Sequence, residues 1–221
     1  MDPTPNNTTA GLPETSPWGA QNNLELDRSL FQSLEAREEA QTLRMWESPV
    51  AVVVLGRSGV IARDVVEDAC VADGVAILRR DSGGGAVLLG PGCLNYSLLL
   101  SLGRHPELRD VRASYGLILG CLIQALAIPG LEIRGLSDLA IRGRKVSGNA
   151  QRRGYRALVH HGTLLYALDP GLAKKYLKEP LRQPDYRQNR RHVEFLCNLP
   201  LGAGEIKKRM ALVPYLLSPN G

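Results

Sequence analysis

Residues 131–166 read LEIRGLSDLAIRGRKVSGNAQRRGYRALVHHGTLLY. Four short β-prone runs, 131–134, 138–142, 145–151 and 157–166, follow one another with no room for a helix between them. Gly143-Arg144 and Arg153-Gly154 separate the last three as hairpin turns. Strands joined by hairpins pair antiparallel. The remaining apolar stretches must then cover this sheet. The expected fold is α+β, a mixed, largely antiparallel β-sheet flanked by helices.

Upstream, Leu26, Leu30, Leu34, Leu43 and Trp46 recur at near-helical spacing and predict one helix over residues 24–46, stopped by Pro49. Residues 50–55 form a β-branched run that ends at Gly56-Arg57. A short helix over 65–72 and a strand over 75–78 lead into three glycines. Strands over 86–89 and 94–100 follow, divided by the Gly90-Pro91-Gly92 turn. A long helix is expected over 106–127, ended by Pro129-Gly130. Downstream come a helix over 170–177, a basic loop over 182–191 and a closing helix over 205–217. Residues 1–20, rich in Asn, Thr, Pro and Gly, have little to bury and read as a disordered tail. Residues 21–221 read as a single domain with no C-terminal accessory domain.

Composition narrows the function. The chain has 221 residues, with 27 basic against 22 acidic, a net charge of +5. That is a mild bias toward acidic partners. Aromatic residues make up 5%, too few for a nucleic-acid surface built on stacked rings. No uncharged apolar run is long enough for a membrane span, and no secretory signal opens the chain. Cys70, Cys93, Cys121 and Cys197 are scattered and form no CxxC pair. This fits a reducing, cytoplasmic setting better than a disulfide framework or a zinc site.

Two segments carry the chemistry. RRDSGGGAV, residues 79–87, brings two arginines to a glycine run, where backbone N–H groups can approach a phosphate. It lacks the Gly-Lys-Ser/Thr of a P-loop. GRKVSGNAQRR, residues 143–153, sets Lys145 among small residues that leave room for a ligand. Asp138, on the adjoining strand, can pair with Lys145 or help hold a metal–nucleotide complex. His160 and His161 are adjacent on a strand, so they point to opposite faces and do not share an ion.

RRDSGGGAV, the LNYS that follows it, and GRKVSGNAQRR with HHGTLL resemble the lipoate–protein ligase A family, within the biotin/lipoate ligase superfamily. The resemblance runs over residues 24–199 and implies the catalytic-domain fold of that superfamily. It implies an enzyme that uses ATP and Mg²⁺ to convert lipoate or octanoate into an acyl-adenylate. The acyl group then passes to a lysine of a lipoyl domain, in a 2-oxoacid dehydrogenase complex or the glycine-cleavage H protein. By position in the motifs, Lys145 contacts the acyl carbonyl and the α-phosphate. Arg80 holds carboxylate or phosphate, with Ser82 beside it. Gly84, Gly85, Ala86 and Val87 line the adenylate. Asp138 lies near Mg²⁺ or the adenine. Asn95, Ser147, Gly148, Ala150, His161 and Gly162 build the pocket wall.

The sequence departs from the family where an aromatic residue and His-Asp usually follow GGGAV. Here Leu88-Leu89-Gly90-Pro91-Gly92-Cys93 stands instead. The Gly-Pro-Gly turn resembles the octanoyltransferase branch, which carries octanoyl from acyl carrier protein on a cysteine. Cys93 is the one cysteine placed for that alternative. A non-catalytic module that holds a lipoyl protein is the third reading. The chain is short for the larger ligases, so either the small domain suffices or a separate accessory subunit completes it. Arg152, Arg153, Arg156, Arg182, Arg187, Arg190 and Arg191 offer a basic face for an acidic acceptor.

Overall fold

A computed structural model describes residues 19–37 and 41–218. The tail expected over 1–20 lies outside these residues, except that Ala20 already begins helix α1 (Ala20–Ala36) and is buried. The helix expected over 24–46 ends at Ala36, and Thr42–Glu47 is strand β1. The apolar positions of this strand alternate. Leu43 and Met45 join the larger core cluster, while Trp46 joins a second one on the other side. Period-two alternation over so short a run is weak beside the helical spacing upstream, and pairing with a distant strand decides it.

Strands β2 (Val52–Leu55), β3 (Ala76–Arg79) and β4 (Val87–Leu89) form a small sheet in the order β3-β2-β4. Short helices α2 (Ile61–Asp64) and α3 (Glu67–Asp73) make the crossover that lets β2 and β3 run parallel. β4 then pairs antiparallel with β2. The glycine loop is therefore not a hairpin, because β2 lies between the strands it joins.

The larger sheet is six-stranded and antiparallel, in the order β1-β5-β9-β8-β7-β6. Besides β1 its members are β5 (Cys93–Ser101), β6 (Leu131–Arg134), β7 (Asp138–Ile141), β8 (Arg144–Arg153) and β9 (Ala157–Leu165). The β7–β8 turn centres on Arg142 and Gly143, both at positive φ, one residue earlier than the sequence implied. Helix α4 (Val111–Leu126), preceded by a 3-10 turn at Pro106–Arg109, covers one face. α6 (Ala203–Met210) and α7 (Val213–Leu216) pack with it. They replace the single closing helix expected over 205–217. Among the described residues no helix is long and apolar enough to cross a membrane.

The other face is divided. Toward one end α1 packs Phe31 and Leu34 on Leu99 and Val159. Glu35 anchors the β8–β9 turn by accepting from the backbone N–H groups of Tyr155, Arg156 and Ala157. Toward the other end the small sheet and α5 (Pro170–Tyr176) close a second core. All nine residues of β5 are buried, because both of its faces are covered.

His160 lies wholly within the helix-covered face. Its ring stacks on Tyr96 with centroids 6.1 Å apart and meets the edge of Tyr115. Burial, aided by His161, pushes it down to about 3, so it folds neutral. Below pH 6.5 the unfolded chain takes up this proton and the folded chain does not. Stability must then fall with pH through the window from 6.5 toward 3. Between pH 7 and pH 5 this histidine should remove about 2 kcal/mol. Urea unfolding of His160→Gln at both pH values should show a loss smaller by that amount. An identical loss in both proteins would refute the assignment.

Candidate active site

A cleft of about 300 Å³ lies between the two sheets. Its floor is laid by strand register. Asn95, Thr163, Gly148 and Asp138 form one row across β5, β9, β8 and β7. Ser97, His161 and Ala150 form the next. Among these seven, only Asp138 and His161 carry a titratable side chain.

Lys145 reaches this floor through a register shift. The β7–β8 ladder slips between Leu139 and Ala140, where two pairs on β7 span Lys145 to Ser147 on β8. Val146 enters the helix-side core, and Ser147 and Asn149 also turn to that side. Lys145 thereby shares the cleft face with Gly148 and Ala150. Its ammonium lies 2.7 Å from Asp138 Oδ1. A Cβ on Gly148 would stand 2.7 Å from Lys145 Nζ, so glycine is what lets the side chain lie across β8. Asp138 Oδ2 accepts from Tyr186 at 2.8 Å.

The opposite wall is the loop between β3 and β4. Arg80, 8% exposed, lies beneath it. Its guanidinium donates to the carbonyls of Val54, Gly83 and Gly85, and its Nε to Ser82 Oγ. None of these acceptors is charged. Burial pushes Arg80 down to about 10, so it stays cationic at neutral pH without a carboxylate partner among the described residues. Arg79 turns away and ties the Gly56–Gly59 turn through three carbonyls. The two arginines therefore do not act as a pair. Of the three glycines only Gly84 has positive φ, at 89°. Gly83 and Gly85 face open space. Gly56, at the end of β2, has no room for a Cβ because the Gly84 carbonyl rests on it.

His161 Nε2 lies 2.5 Å from Ser82 Oγ. Burial, and then the positive Arg80, push this imidazole to about 3, so it is neutral. The two histidines do face opposite sides. Arg80, Gly84, Gly85, Ala86, Val87 and Asn95 line the cleft, as do Asp138, Lys145, Gly148, Ala150, His161 and Gly162. Ser82 and Ser147 do not. Ser82 lies behind the glycine loop, and Ser147 is wholly buried.

The sequence reading overlooked several lining residues. Asn149 stands inside the quoted motif, and Asp27 follows Asn23 by four positions on the buried side of α1, the one available signal. Asp27 pairs with Arg44 and accepts from Ser97 at 2.5 Å. Burial outweighs both partners and raises its pKa. At its far end the cleft enters the second core, where Trp46, Leu89, Leu165, Leu168 and Leu177 make it apolar.

Residues 19–210 match the family described as the lipoyl protein ligase A/B catalytic domain. The chain belongs to this family. It is 30% identical over 170 residues to a putative lipoate-protein ligase A of Aeropyrum pernix, covering 76% of this chain and 59% of that protein. A lipoate-protein ligase A of Psychrobacter cryohalolentis is 32% identical over 151 residues, 68% of this chain and 41% of the relative. This chain thus spans about half the length of such curated relatives. In fold it matches the bi-partite lipoate protein ligase of Thermoplasma acidophilum, with a TM-score of 0.75 and 21% identity over 90% of this chain and 79% of that one. A lipoate-protein ligase A bound with ATP gives a TM-score of 0.75 and 21% identity, over 90% and 81%.

Within this lipoyl ligase domain, two expectations need correction. Cys93 does not face the cleft. It is wholly buried in the second core, and burial pushes its thiol up to about 12. Such a thiol is neither ionised nor reachable by an acyl donor. Asp138 engages Lys145 through one carboxylate oxygen and Tyr186 through the other. Among the described residues no three His, Cys, Asp or Glu side chains converge on one point. Four of the seven arginines of the basic face are engaged within the fold. Arg152 covers Phe31, Arg153 donates to the carbonyls of Leu108 and Arg109, and Arg187 and Arg190 stack on Phe195. Arg156, Arg182 and Arg191 remain exposed.

Tyr96, Gly162 and Asn149 form one row across β5, β9 and β8. The phenol donates across the glycine to Asn149 Oδ1 at 2.6 Å, where a Cβ on Gly162 would collide. Gly162→Ala should therefore displace Asn149 and destabilise the fold by roughly 1–3 kcal/mol. Denaturant midpoints check this, and an unshifted midpoint would contradict it.

Proposed function

We propose that this chain activates lipoate or octanoate with ATP and transfers the acyl group to a lysine of a lipoyl domain. The observation that carries the reading is the two-ended cleft. A buried, uncompensated arginine, a glycine loop and a lysine stand at one end, and an apolar recess opens at the other. An aliphatic acid fits this polarity, with its chain in the recess and its carboxylate near Lys145. The names of relatives agree, since one structural neighbour is a putative lipoate protein ligase with bound lipoic acid and another is bound with ATP.

In this reading the acid's carboxylate oxygen attacks the α-phosphorus of ATP, and pyrophosphate leaves. The acceptor's lysine amine then attacks the carbonyl carbon of the mixed anhydride. The amide forms, AMP leaves, and the amine gives up a proton. Lys145 offers its ammonium to the oxygens that gain charge in both steps. The glycine loop adds backbone N–H groups, and Arg80 supplies positive field from below. A magnesium ion bound to the nucleotide's phosphates would neutralise part of their charge. The recess shelters the anhydride from water.

The acceptor is a lipoyl domain of a 2-oxoacid dehydrogenase complex or the glycine-cleavage H protein, drawn by exposed Arg156, Arg182 and Arg191. The Thermoplasma ligase was described together with its E2 lipoyl domain. We place the activity in the cytoplasm and assign the activation and transfer chemistry to residues 21–221, with a separate accessory subunit where the acceptor requires one.

Lipoate-dependent exchange of pyrophosphate into ATP tests the reading. Lys145→Ala should lose at least about a hundredfold in rate, on the scale of one deleted transition-state donor. Near-normal exchange in the folded variant would reject its role. Cys93→Ser should leave exchange unchanged. Absence of exchange in the parent protein, together with transfer from octanoyl-acyl carrier protein that Cys93→Ser abolishes, would establish the transferase instead.

A further inference from the structure

Residues 178–198 pass over the β7–β8 end of the cleft as a strap. The strap is fastened at both ends. The backbone N–H of Lys178 donates to the Asp64 carbonyl at 3.1 Å, and that of Cys197 to the Lys145 carbonyl at 2.9 Å. Its middle is a 3-10 turn at Asp185–Arg187. Arg190 holds that turn down by donating to the carbonyls of Tyr186 at 2.7 Å and Gly143 at 2.8 Å. The Tyr186 ring packs on Phe195 with centroids 5.1 Å apart.

The hydroxyl of Tyr186 donates to Asp138 Oδ2 at 2.8 Å. Burial and the adjacent carboxylate raise the phenol far above its ordinary pKa, so it remains a donor throughout the working range. A carboxylate held by one oxygen cannot rotate freely. Its other oxygen lies 2.7 Å from Lys145 Nζ.

We propose that Tyr186 is a positioning residue. It locks the Asp138 carboxylate so that Lys145 is presented to the cleft at a set place, and it makes that placement depend on the seating of the strap. This deepens the ligase reading and rests on it for the role of Lys145. The geometric part stands without it.

The test is a double-mutant cycle on the full chain with two readouts. The first needs no ligase activity. Lys145, whose side chain is 26% exposed, is acylated with an N-hydroxysuccinimide ester without ATP and quantified by mass spectrometry against exposed Lys174. Tyr186→Phe keeps the ring and its packing. It should raise labelling of Lys145 roughly three- to tenfold, as the ammonium is released from a fixed partner. Asp138→Asn should raise it at least as much. In the double variant the Tyr186→Phe increment should vanish, because the tyrosine acts only through Asp138. Unchanged labelling in Tyr186→Phe, or increments that multiply, would overturn the proposal.

The second readout is pyrophosphate exchange. Tyr186→Phe should lower kcat about tenfold while KM for ATP moves by less than about twofold. A pure rise in KM would mean that the phenol binds nucleotide directly and would also overturn it. If the parent protein shows no exchange with lipoate or octanoate, the ligase reading fails, and the labelling cycle still decides the role of Tyr186. Should Tyr186→Phe fold poorly, Phe195→Leu loosens the strap while keeping the phenol. It should raise labelling only in the presence of Asp138, and an equal rise with Asp138→Asn would count against the relay.

Discussion

Nine consecutive residue pairs join β5 to β9, and every other feature of the site is measured from that ladder. A strand pair buried on both faces cannot slip by one residue without exchanging its two faces. On one face Leu94, Tyr96, Leu98, Leu158 and Leu164 meet the helices. On the other, Asn95, Ser97, His161 and Thr163 face the cleft. The apolar set holds the register, and the register delivers the polar set. The floor of the site is polar because the opposite face carries the packing.

Two departures from regular structure convert this scaffold into a site. The register shift at Leu139/Ala140 turns Lys145 onto the cleft face. The crossing of β2 by the glycine loop puts Arg80 under that loop. Both place positive charge where water is sparse. A buried guanidinium that bonds only to neutral acceptors stabilises the fold less than one paired with a carboxylate. The uncompensated charge is what an anionic ligand can use. Lys145, by contrast, rests on Asp138, so one of the two cations is neutralised in the free protein and the other is not.

The apolar end of the cleft is continuous with the second core. Trp46 and Leu165 belong both to the packing of the small sheet on the large one and to the recess. Substitutions there act on stability and on ligand shape together. Ser82 illustrates a third kind of position. It touches His161 and Arg80 from behind the loop, where it sets the loop's seat rather than meeting a ligand.

The hairpin succession over residues 131–166, the glycine loop and the small residues around Lys145 were legible in the chain, because local turn chemistry and strand propensity decide them. So was the opposed orientation of His160 and His161, which follows from the pleat. β1 was not legible, since its six residues become a strand only by pairing with β5. Nor was the separation of Arg79 from Arg80, because adjacent arginines look alike until the Gly56–Gly59 turn supplies carbonyls to Arg79. Asp27, Asn149 and Tyr186 reach the site from α1, β8 and the strap through neighbours 70, 53 and 48 residues away, at Ser97, Tyr96 and Asp138. Cys93 read as a candidate nucleophile from its place beside the glycine loop, yet the second core encloses it. Local sequence determined the elements and the chemical vocabulary of the site. Register and burial, which depend on contacts far apart in the chain, decided which of those side chains meet.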